Sequence, residues 1–575
     1  MKGVKSLQAA YQIPRLGLKD GRLLLRCPYA DRELAKAVSG AKWDPVAKGW
    51  SYAVRPEVLA DLRRMFPPLQ VDAEAAEAVQ RVAEREQTAL AVKEIADDAD
   101  LDVELPVLVK PFLHQKKAFK IGITLPNVAL LMEMGTGKTL TSIAIAGHRW
   151  KYDGLRRVLV VAPLSVVPVW PREFAEYAAF PVDCRALKGT SVEKAAMLAA
   201  FPPTGDALQV AVVNYESTWR IEADLKRWLQ GAGRGGAMII ADESQRIKTP
   251  GAAQSKAMHR LGAVAAYRLI LTGTPVTNSP VDFFSQYKFL QPDIFGTSFT
   301  AFKARYCDMM AFEGQNGAFK KIVGYRNLNE LVRKAHSIAF RVTKAEALDL
   351  PEETIQPRFV ELDPRTMRLY NELRREAIAE LENGIVTAQN VLTKLLRLSQ
   401  LTGGFLTDET GRTHSVGDEK MRAFEETMDD LLDAGKKVVV FARFIPEIRT
   451  ICAALEKRGI QYRYITGEVD QSARGEAVQA FQTDPEVRVF VAQIQTAGLG
   501  ITLTAADTAI FYSMDFSLAN YEQAKARIHR VGQRNTVTHI HLIATGTVDE
   551  KIFEALREKK NLADLVVDRW REFLR

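Results

Sequence analysis

Cysteine is scarce in this chain of 575 residues: there are four, Cys27, Cys184, Cys307 and Cys452, scattered with no C-x-x-C pair. That spacing argues against a zinc knuckle and against a secreted disulfide scaffold, and favours isolated thiols in a reducing compartment. Long hydrophobic runs are missing as well. No stretch approaches the ~18 consecutive apolar residues of a membrane helix, and the opening MKGVKSLQAAYQIPRLGLKDGR lacks the apolar core of a signal peptide. The expectation is a cytoplasmic protein with no membrane partner and no structural zinc. Nor does charge of one sign dominate: 78 Lys and Arg against 70 Asp and Glu give +8. That excess suits a polyanionic partner without naming nucleic acid.

What the chain does have is a globular composition, 47% apolar and 26% charged, and length for roughly three or four domains at about 150 residues each. Residues 1–98 read as a small α+β domain. An apolar strand at 23–25 is followed by an amphipathic segment at 32–38, a turn near Pro45, a strand at 50–54 and a short helix from Pro56. Trp43, Trp50 and Tyr52 alternate there with Lys42, Lys48 and Arg55, which can set aromatic faces and cations against DNA. The same rings can equally be the core of a small domain. Ala and Glu dominate 72–102, a helix and then an acidic linker.

The stretch NVALLMEMGTGKTLTSIAIAGHRW, 127–150, is the element around which the other motifs of the chain are ordered. A strand at 128–131, a turn at Gly135 and Gly137, and a helix after Lys138 form a phosphate cradle. Backbone N–H groups and the helix N-terminus meet the phosphates, Lys138 reaches the β- and γ-oxygens, and the Thr139 hydroxyl ligates Mg²⁺. Met132 stands where the usual pattern has its first Gly. A plain turn is the alternative. Upstream, the side-chain amide of Gln115 in KPFLHQ can donate to and accept from an adenine edge.

A fully apolar strand ending at Ala162, another at 211–217 ending in polar groups and a third at 269–275, separated by helical stretches, indicate a mostly parallel sheet covered on both faces. Loops at the carboxyl ends of such strands carry function; Ser165, Asn214, Tyr215, Thr272 and Thr274 sit there. AMIIADESQ, 237–245, delivers Asp242 for Mg²⁺ and Glu243 for water at one strand end, although two acids after a strand can also cap a helix. A second α/β unit starts at KKVVVFARF, 436–444, with further strands at 462–467, 487–493 and 508–513. TAGLGITLTAAD, 496–507, starts as a turn in which Thr496 and two glycines can meet a phosphate, and runs toward a helix. Lys394 and Arg397 share a helix surface that can meet DNA, or be a solvated face. YEQAKARIHRVGQR, 521–534, reads as a helix with Gln523, Arg527 and Arg530 on one face, suited to a γ-phosphate; a basic surface helix is the alternative.

GTGKT at 135–139, DESQ at 242–245, LTGTP at 271–275 and QAKARIHRVGQ at 523–533 together resemble the Swi/Snf-type branch of the superfamily-two helicase-like ATPases. The resemblance runs from Pro106 to Asp549. It implies an α/β fold of two RecA-like parallel-sheet lobes with helical insertions, binding ATP and duplex DNA and moving along DNA usually without strand separation. It assigns adenine contact to Gln115, phosphate and Mg²⁺ contact to Gly135, Gly137, Lys138 and Thr139, and Mg²⁺ and water to Asp242 and Glu243. Arg527 and Arg530 become arginine fingers, and Gln523 links their helix to nucleotide. DNA contacts are expected at Ser165, Asn214, Thr274, Thr496, Lys394, Arg397, Trp43, Lys48 and Trp50. AKWDPVAKGWSY, 41–52, looks like the HARP module of annealing-helicase members. Gln245 departs from the family's usual final His of DExH.

The expected division is 1–98 for the N-terminal HARP-like DNA-binding domain and linker, 99–290 for the first lobe, 291–435 for helical protrusions and the inter-lobe region, 436–549 for the second lobe and 550–575 for a helical tail. The reading is a DNA-dependent ATPase using ATP and Mg²⁺, a translocase on double-stranded or forked DNA in replication, recombination or repair, and of bacterial or phage type. It is expected to be a DNA-associated monomer, with oligomeric state left open. A strand-separating helicase, or a nucleic-acid-binding module with an ATP-driven switch, are the alternatives.

Overall fold

The computed structural model describes residues 13–558 apart from 39, 97–100, 204, 274–279, 315–316, 348–349, 384–387, 409 and 500. The chain divides into two compact units. One comprises 1–132, 138–162 and 173–341; the other comprises 133–137, 163–172 and 342–575.

The first unit opens with a five-stranded sheet in the order Lys42–Asp44, Gly49–Tyr52, Arg22–Arg26, Arg15–Lys19, Gln70–Val71. Asp20 and Gly21, with φ of 51° and 74°, turn Lys19 onto Arg22, the two-residue hairpin geometry that Asp-Gly favours. Leu16, Leu23, Leu25, Tyr52 and Leu62 form its fully buried core with the Pro56–Met65 helix. Ala75 and Val79 of the Ala73–Lys93 helix close the same core. This is the small α+β domain read at 1–98, and it is tied to the rest of its unit by Arg22–Asp293 (3.9 Å) and by Lys93 Nζ donating to the His336 carbonyl (2.6 Å).

The main sheet of that unit has seven strands in the order Ala339–Val342, Asn127–Met132, Tyr267–Leu271, Ala237–Asp242, Arg157–Ala162, Leu208–Asn214, Val182–Ala186. From Asn127–Met132 onward every pairing is parallel. Asn127–Met132, Arg157–Ala162, Leu208–Asn214 and Ala237–Asp242 are buried at every position, as their unbroken apolar sequences require of strands covered on both faces. Beyond the sheet, Cys307–Gly314 and Gly317–Tyr325 pair as an antiparallel hairpin, in a region where the sequence suggested only helical protrusions.

The second unit holds a wholly parallel six-stranded sheet, Glu353–Val360, Val537–Ala544, Thr508–Phe511, Val438–Ala442, Val489–Gln493, Tyr462–Ile465. Alternation along its central strand separates two cores. Val439 and Phe441 face Leu395, Leu398 and Ile552, whereas Val438, Val440 and Ala442 face Ile448, Ile451 and Leu455. Full burial of each such side chain is worth about 1.5–3 kcal/mol. The α/β fold of two parallel-sheet lobes is therefore present. Two details differ from the sequence reading: Glu353–Val360, inside the stretch taken as protrusions and inter-lobe region, is an edge strand, and the described residues of 496–507 include no α-helix. There a 3₁₀ turn, Ile494–Leu499, leads into irregular chain. The helix expected near the end is Val548–Arg557; the remainder of the 550–575 tail lies outside the described residues.

A buried ion pair fastens that helix. Lys420 Nζ meets Asp549 Oδ2 at 2.5 Å with side-chain exposures of 1% and 5%, and Thr402 donates to Asp549 Oδ1 at 3.0 Å. Lys420→Met should destabilise the second unit by about 3–5 kcal/mol, because it strands a buried carboxylate. Urea unfolding checks this, and an unchanged midpoint would contradict it.

Candidate nucleotide site

The phosphate turn follows from local chain chemistry. The Asn127–Met132 strand ends at Met132, whose side chain is fully buried. The missing glycine thus falls on the strand, where a core side chain is needed, and not in the turn. Gly135 and Gly137 take φ of 84° and 88°, a region that glycine enters without strain. Lys138 then begins the Lys138–Tyr152 helix, so its first N–H groups and the glycine turn make a concavity fit for an anion. Lys138 Nζ folds back to the Met132 carbonyl (2.8 Å), and the Thr136 hydroxyl donates to the Glu133 carbonyl (2.7 Å). Thr139 is half-buried on the helix's first turn.

Asp242 ends a strand two places along the same sheet and running in the same direction, about 10 Å from the Met132 strand by ordinary strand spacing. Its carbonyl accepts the Tyr215 hydroxyl (2.7 Å), and its Oδ1 accepts the Glu243 N–H (3.0 Å). Glu243 is in the left-handed region, φ 50°, at a cost of about 1–2 kcal/mol for a non-glycine residue. The Gln245 Nε2 donates to the Glu243 carboxylate (2.7 Å), and the Gln245 Oε1 accepts the Thr272 hydroxyl (2.9 Å). Thr272 lies just past the strand between the two, so a relay spans the sheet from Asp242's loop to LTGTP. An amide serves because it donates and accepts at once. The sequence marked Gln245 as a departure and Thr272 as a strand-end residue; nothing in it joined them. Asp242 and Thr139 offer the hard oxygen donors that suit Mg²⁺.

Gln115 is 4% exposed at the start of the Leu113–Thr124 helix, where its Oε1 accepts the Phe112 N–H (2.9 Å) and fixes the carboxamide. Ser165 is half-buried just after the Arg157–Ala162 strand, as its position in sequence suggested. Asn214 turns inward: its Oδ1 accepts Ser217 (2.6 Å) and its Nδ2 donates to Glu216 (2.8 Å), so the carboxamide shapes its own loop. Thr274 lies outside the described residues. In the N-terminal domain Trp43 is 53% exposed and edge-on to Trp50 at 5.4 Å. Lys48 is exposed, Trp50 packs against the core, and Tyr52 is wholly interior, donating to the Ala35 carbonyl (2.8 Å).

In the second unit the arginine segment departs from the expected helix. Leu518–Lys525 is helical and carries a half-buried Gln523, but the helix stops there. The Arg527 carbonyl accepts the Leu503 N–H (2.9 Å), which takes it out of a helical ladder. Arg527 and Arg530 still converge: an Nη1 of each reaches the Ile501 carbonyl, at 3.5 and 3.4 Å. In the same unit a Cβ placed on Gly135 would lie 3.6 Å from Arg530 Cβ and 3.7 Å from Lys344 Cε. The Lys344 backbone N–H donates to Glu133 (2.8 Å). Burial brings the Lys344 ammonium down to about 8 against the pull of Glu133 and Glu353. Sequence reading passed over Lys344, an unremarkable Lys in TKAEAL. The Thr496 hydroxyl donates to the Gln493 carbonyl (2.7 Å). Lys394 is ion-paired with Glu380, while Arg397 is exposed.

Gln245→Ala releases both the Glu243 carboxylate and the Thr272 hydroxyl. With Glu243 handling a proton during phosphoryl transfer, turnover falls by about tenfold or more, part of the ~10²–10⁴-fold that one positioned acid–base group contributes, while nucleotide affinity stays level. Steady-state ATPase beside direct nucleotide titration reads the two apart.

Two families match the chain: the SNF2-related domain over residues 78–404 and the helicase conserved C-terminal domain over 419–532. Among curated proteins, a mouse chromodomain-helicase-DNA-binding protein 1-like is 28% identical over 453 residues, covering 76% of this chain and 47% of its own. A Caenorhabditis elegans homologue of SWI/SNF-related matrix-associated actin-dependent regulator of chromatin subfamily A-like protein 1 is 27% identical over 535 residues, 92% of this chain and 71% of its own. The mouse DNA annealing helicase and endonuclease ZRANB3 is 27% identical over 435 residues, 74% and 38%. The chain spans about half the length of the first of these relatives. With the SNF2-related domain extending over more than half of its residues, the chain belongs to the SNF2-related family.

Proposed function

We propose that the protein is an ATP- and Mg²⁺-dependent translocase acting on duplex or branched DNA, remodelling or annealing it. One observation carries the reading. The left-handed glycine turn with Lys138 and the Asp242–Glu243 loop leave one parallel sheet at the same end, joined through Thr272 and Gln245. Family membership supports ATP as the nucleotide. Bound ATP would supply the phosphoryl group, and Mg²⁺, held by Thr139 and Asp242, would neutralise its charge. Lys138 and the glycine-turn N–H groups orient the phosphates. The Glu243 carboxylate, aimed by Gln245, takes up a proton from water, and Gln115 faces the base. Arg527 and Arg530 bring two guanidinium forks to the transferring group.

The proposal extends to the N-terminal sheet as a DNA-structure reader, to membership of the HARP-containing annealing-helicase branch and to a bacterial or phage DNA-processing role. The match to the nematode protein covers 92% of this chain, too much to be contained after residue 98, and the printed name of the mouse ZRANB3 protein describes a DNA annealing helicase. Exposed Trp43 and Lys48 suit stacking and phosphate contact. Ser165, Thr496, Arg397 and the undescribed Thr274 are the proposed backbone contacts. Asn214 and Lys394 join them only by giving up their present partners, Ser217 and Glu216 for the one and Glu380 for the other.

ATPase rates with no nucleic acid, single strands, blunt duplex and a model fork, at fixed low salt, test the proposal. Duplex or fork stimulates turnover strongly; stimulation by single strands alone indicates conventional unwinding, and none by any DNA removes the nucleic-acid assignment. Arg530→Ala should cut turnover by about 10³-fold or more with nucleotide binding retained, and a normal rate in folded protein sinks its role. Deleting residues 1–98 should weaken fork binding more than plain-duplex binding in a titration; equal losses would make the domain a docking element.

A further inference from the structure

The arginine segment of the second unit is not held by its own helix, which ends at Lys525. Besides its contacts with Ile501 and Leu503, the segment is fixed from another part of the chain, residues 344–353. Lys525 Nζ lies 3.1 Å from Glu353 Oε2, and His539 Nε2 lies 2.8 Å from Glu353 Oε1. His529 is pinned twice, its Nε2 against the Pro351 carbonyl (2.9 Å) and its own carbonyl accepting Lys344 Nζ (3.1 Å). The Val537 N–H donates to the Glu352 carbonyl (2.8 Å). Arg527 sits midway between the two pinned residues, and Arg530 directly follows the second.

The charges make Glu353 the keystone of this set. Lys525 is buried, its side chain 9% exposed, and an ammonium in that position needs a carboxylate at hand. Glu522, on its own helix, stands off at 4.0 Å. Burial alone would raise the Glu353 carboxyl, but the His539 hydrogen bond and the Lys525 charge hold it well below the usual carboxylate range. Burial keeps the His539 imidazole lowered, hence neutral, despite Glu353 beside it. A neutral His539 donor and a charged Lys525 donor therefore share one carboxylate. Two residues further along the strand, His541 Nε2 meets the Tyr521 hydroxyl (3.0 Å), so the helix touches the Val537–Ala544 strand directly at Tyr521 and through Glu353 at Lys525.

We propose that Glu353, acting through Lys525 and His539, is a positioning residue for turnover: it fixes the backbone from 525 to 530 and so the reach of Arg527 and Arg530. This rests on the proposed arginine-finger role of that pair. A side chain misplaced by about 1 Å can cost about 10²-fold in rate, so a loosened segment lowers kcat without touching the groups that bind nucleotide.

The test uses the full chain with saturating duplex DNA. It compares E353Q, R530A and the double variant for kcat, for the Kd of a fluorescent ATP analogue and for melting temperature. The expected result is a drop in kcat of about tenfold or more in E353Q, analogue affinity within about twofold of the parent, and a double variant no slower than R530A, since groups acting as one unit are non-additive. Losses that multiply in the double variant, or a loss in E353Q that follows affinity and melting temperature together, overturn the proposal. A slow R530A beside a fully active E353Q overturns this proposal alone, whereas a fully active R530A overturns the arginine reading and this proposal with it. If E353Q does not fold, His539→Asn, which keeps the Glu353–Lys525 pair and alters one donor, must reproduce the fall in kcat at constant affinity, and its failure to do so counts equally against the role.

Discussion

A parallel strand buried on both faces has nowhere to place a polar side chain except at its ends. Asn127–Met132, Arg157–Ala162, Leu208–Asn214 and Ala237–Asp242 all meet that condition, and the polar groups of the candidate site accumulate where they stop. Parallel direction then brings the stops to one edge. Lys138, Thr272 and Asp242 come from separate stretches, yet the sheet leaves their loops side by side because every pairing between them is parallel.

That edge also explains how the chain manages without the family's usual His. The left-handed Glu243 is held by its own neighbours, with the Asp242 carboxylate on its N–H and the Gln245 amide on its carboxylate. Strain of this kind persists where surroundings over-determine it. Gln245 passes the constraint on to Thr272, so the acid of one loop and the hydroxyl of the next are mechanically linked through a single side chain.

The second unit uses buried charge where the first uses strain. Lys420 and Asp549 are both buried, whereas Lys525 and His539 are buried donors that meet the partly exposed Glu353 carboxylate. Such pairs add little net stability but are costly to break. They restrict how the Val548–Arg557 helix and the arginine segment can sit, which an apolar contact of the same size would do less specifically.

Much of this was legible in the residues. Unbroken apolar runs marked the central strands, Gly-x-Gly-Lys marked a strand–turn–helix, and the apolar run at 23–25, the turn near Pro45 and the aromatic stretch at 50–54 marked the N-terminal domain, because those signals depend on neighbours in sequence. Spacing was less reliable for Arg527 and Arg530. The four-and-three interval implied a continuous helix, whereas the helix stops at Lys525 and the two guanidinium groups meet at the Ile501 carbonyl by another route. Edge strands such as Glu353–Val360, the Cys307–Tyr325 hairpin, the inward turn of Asn214 and the pairing of Lys394 with Glu380 had no local signal. The sequence by itself determined which chemistry the chain carries and on which kind of element, since side-chain type, period and turn residues are local properties. Only the tertiary structure decided which groups act together: Gln245 finds Thr272 27 residues away, and Glu353 finds His539 186 residues away. Partners at such separations are chosen by sheet order and packing, which no short window of residues contains.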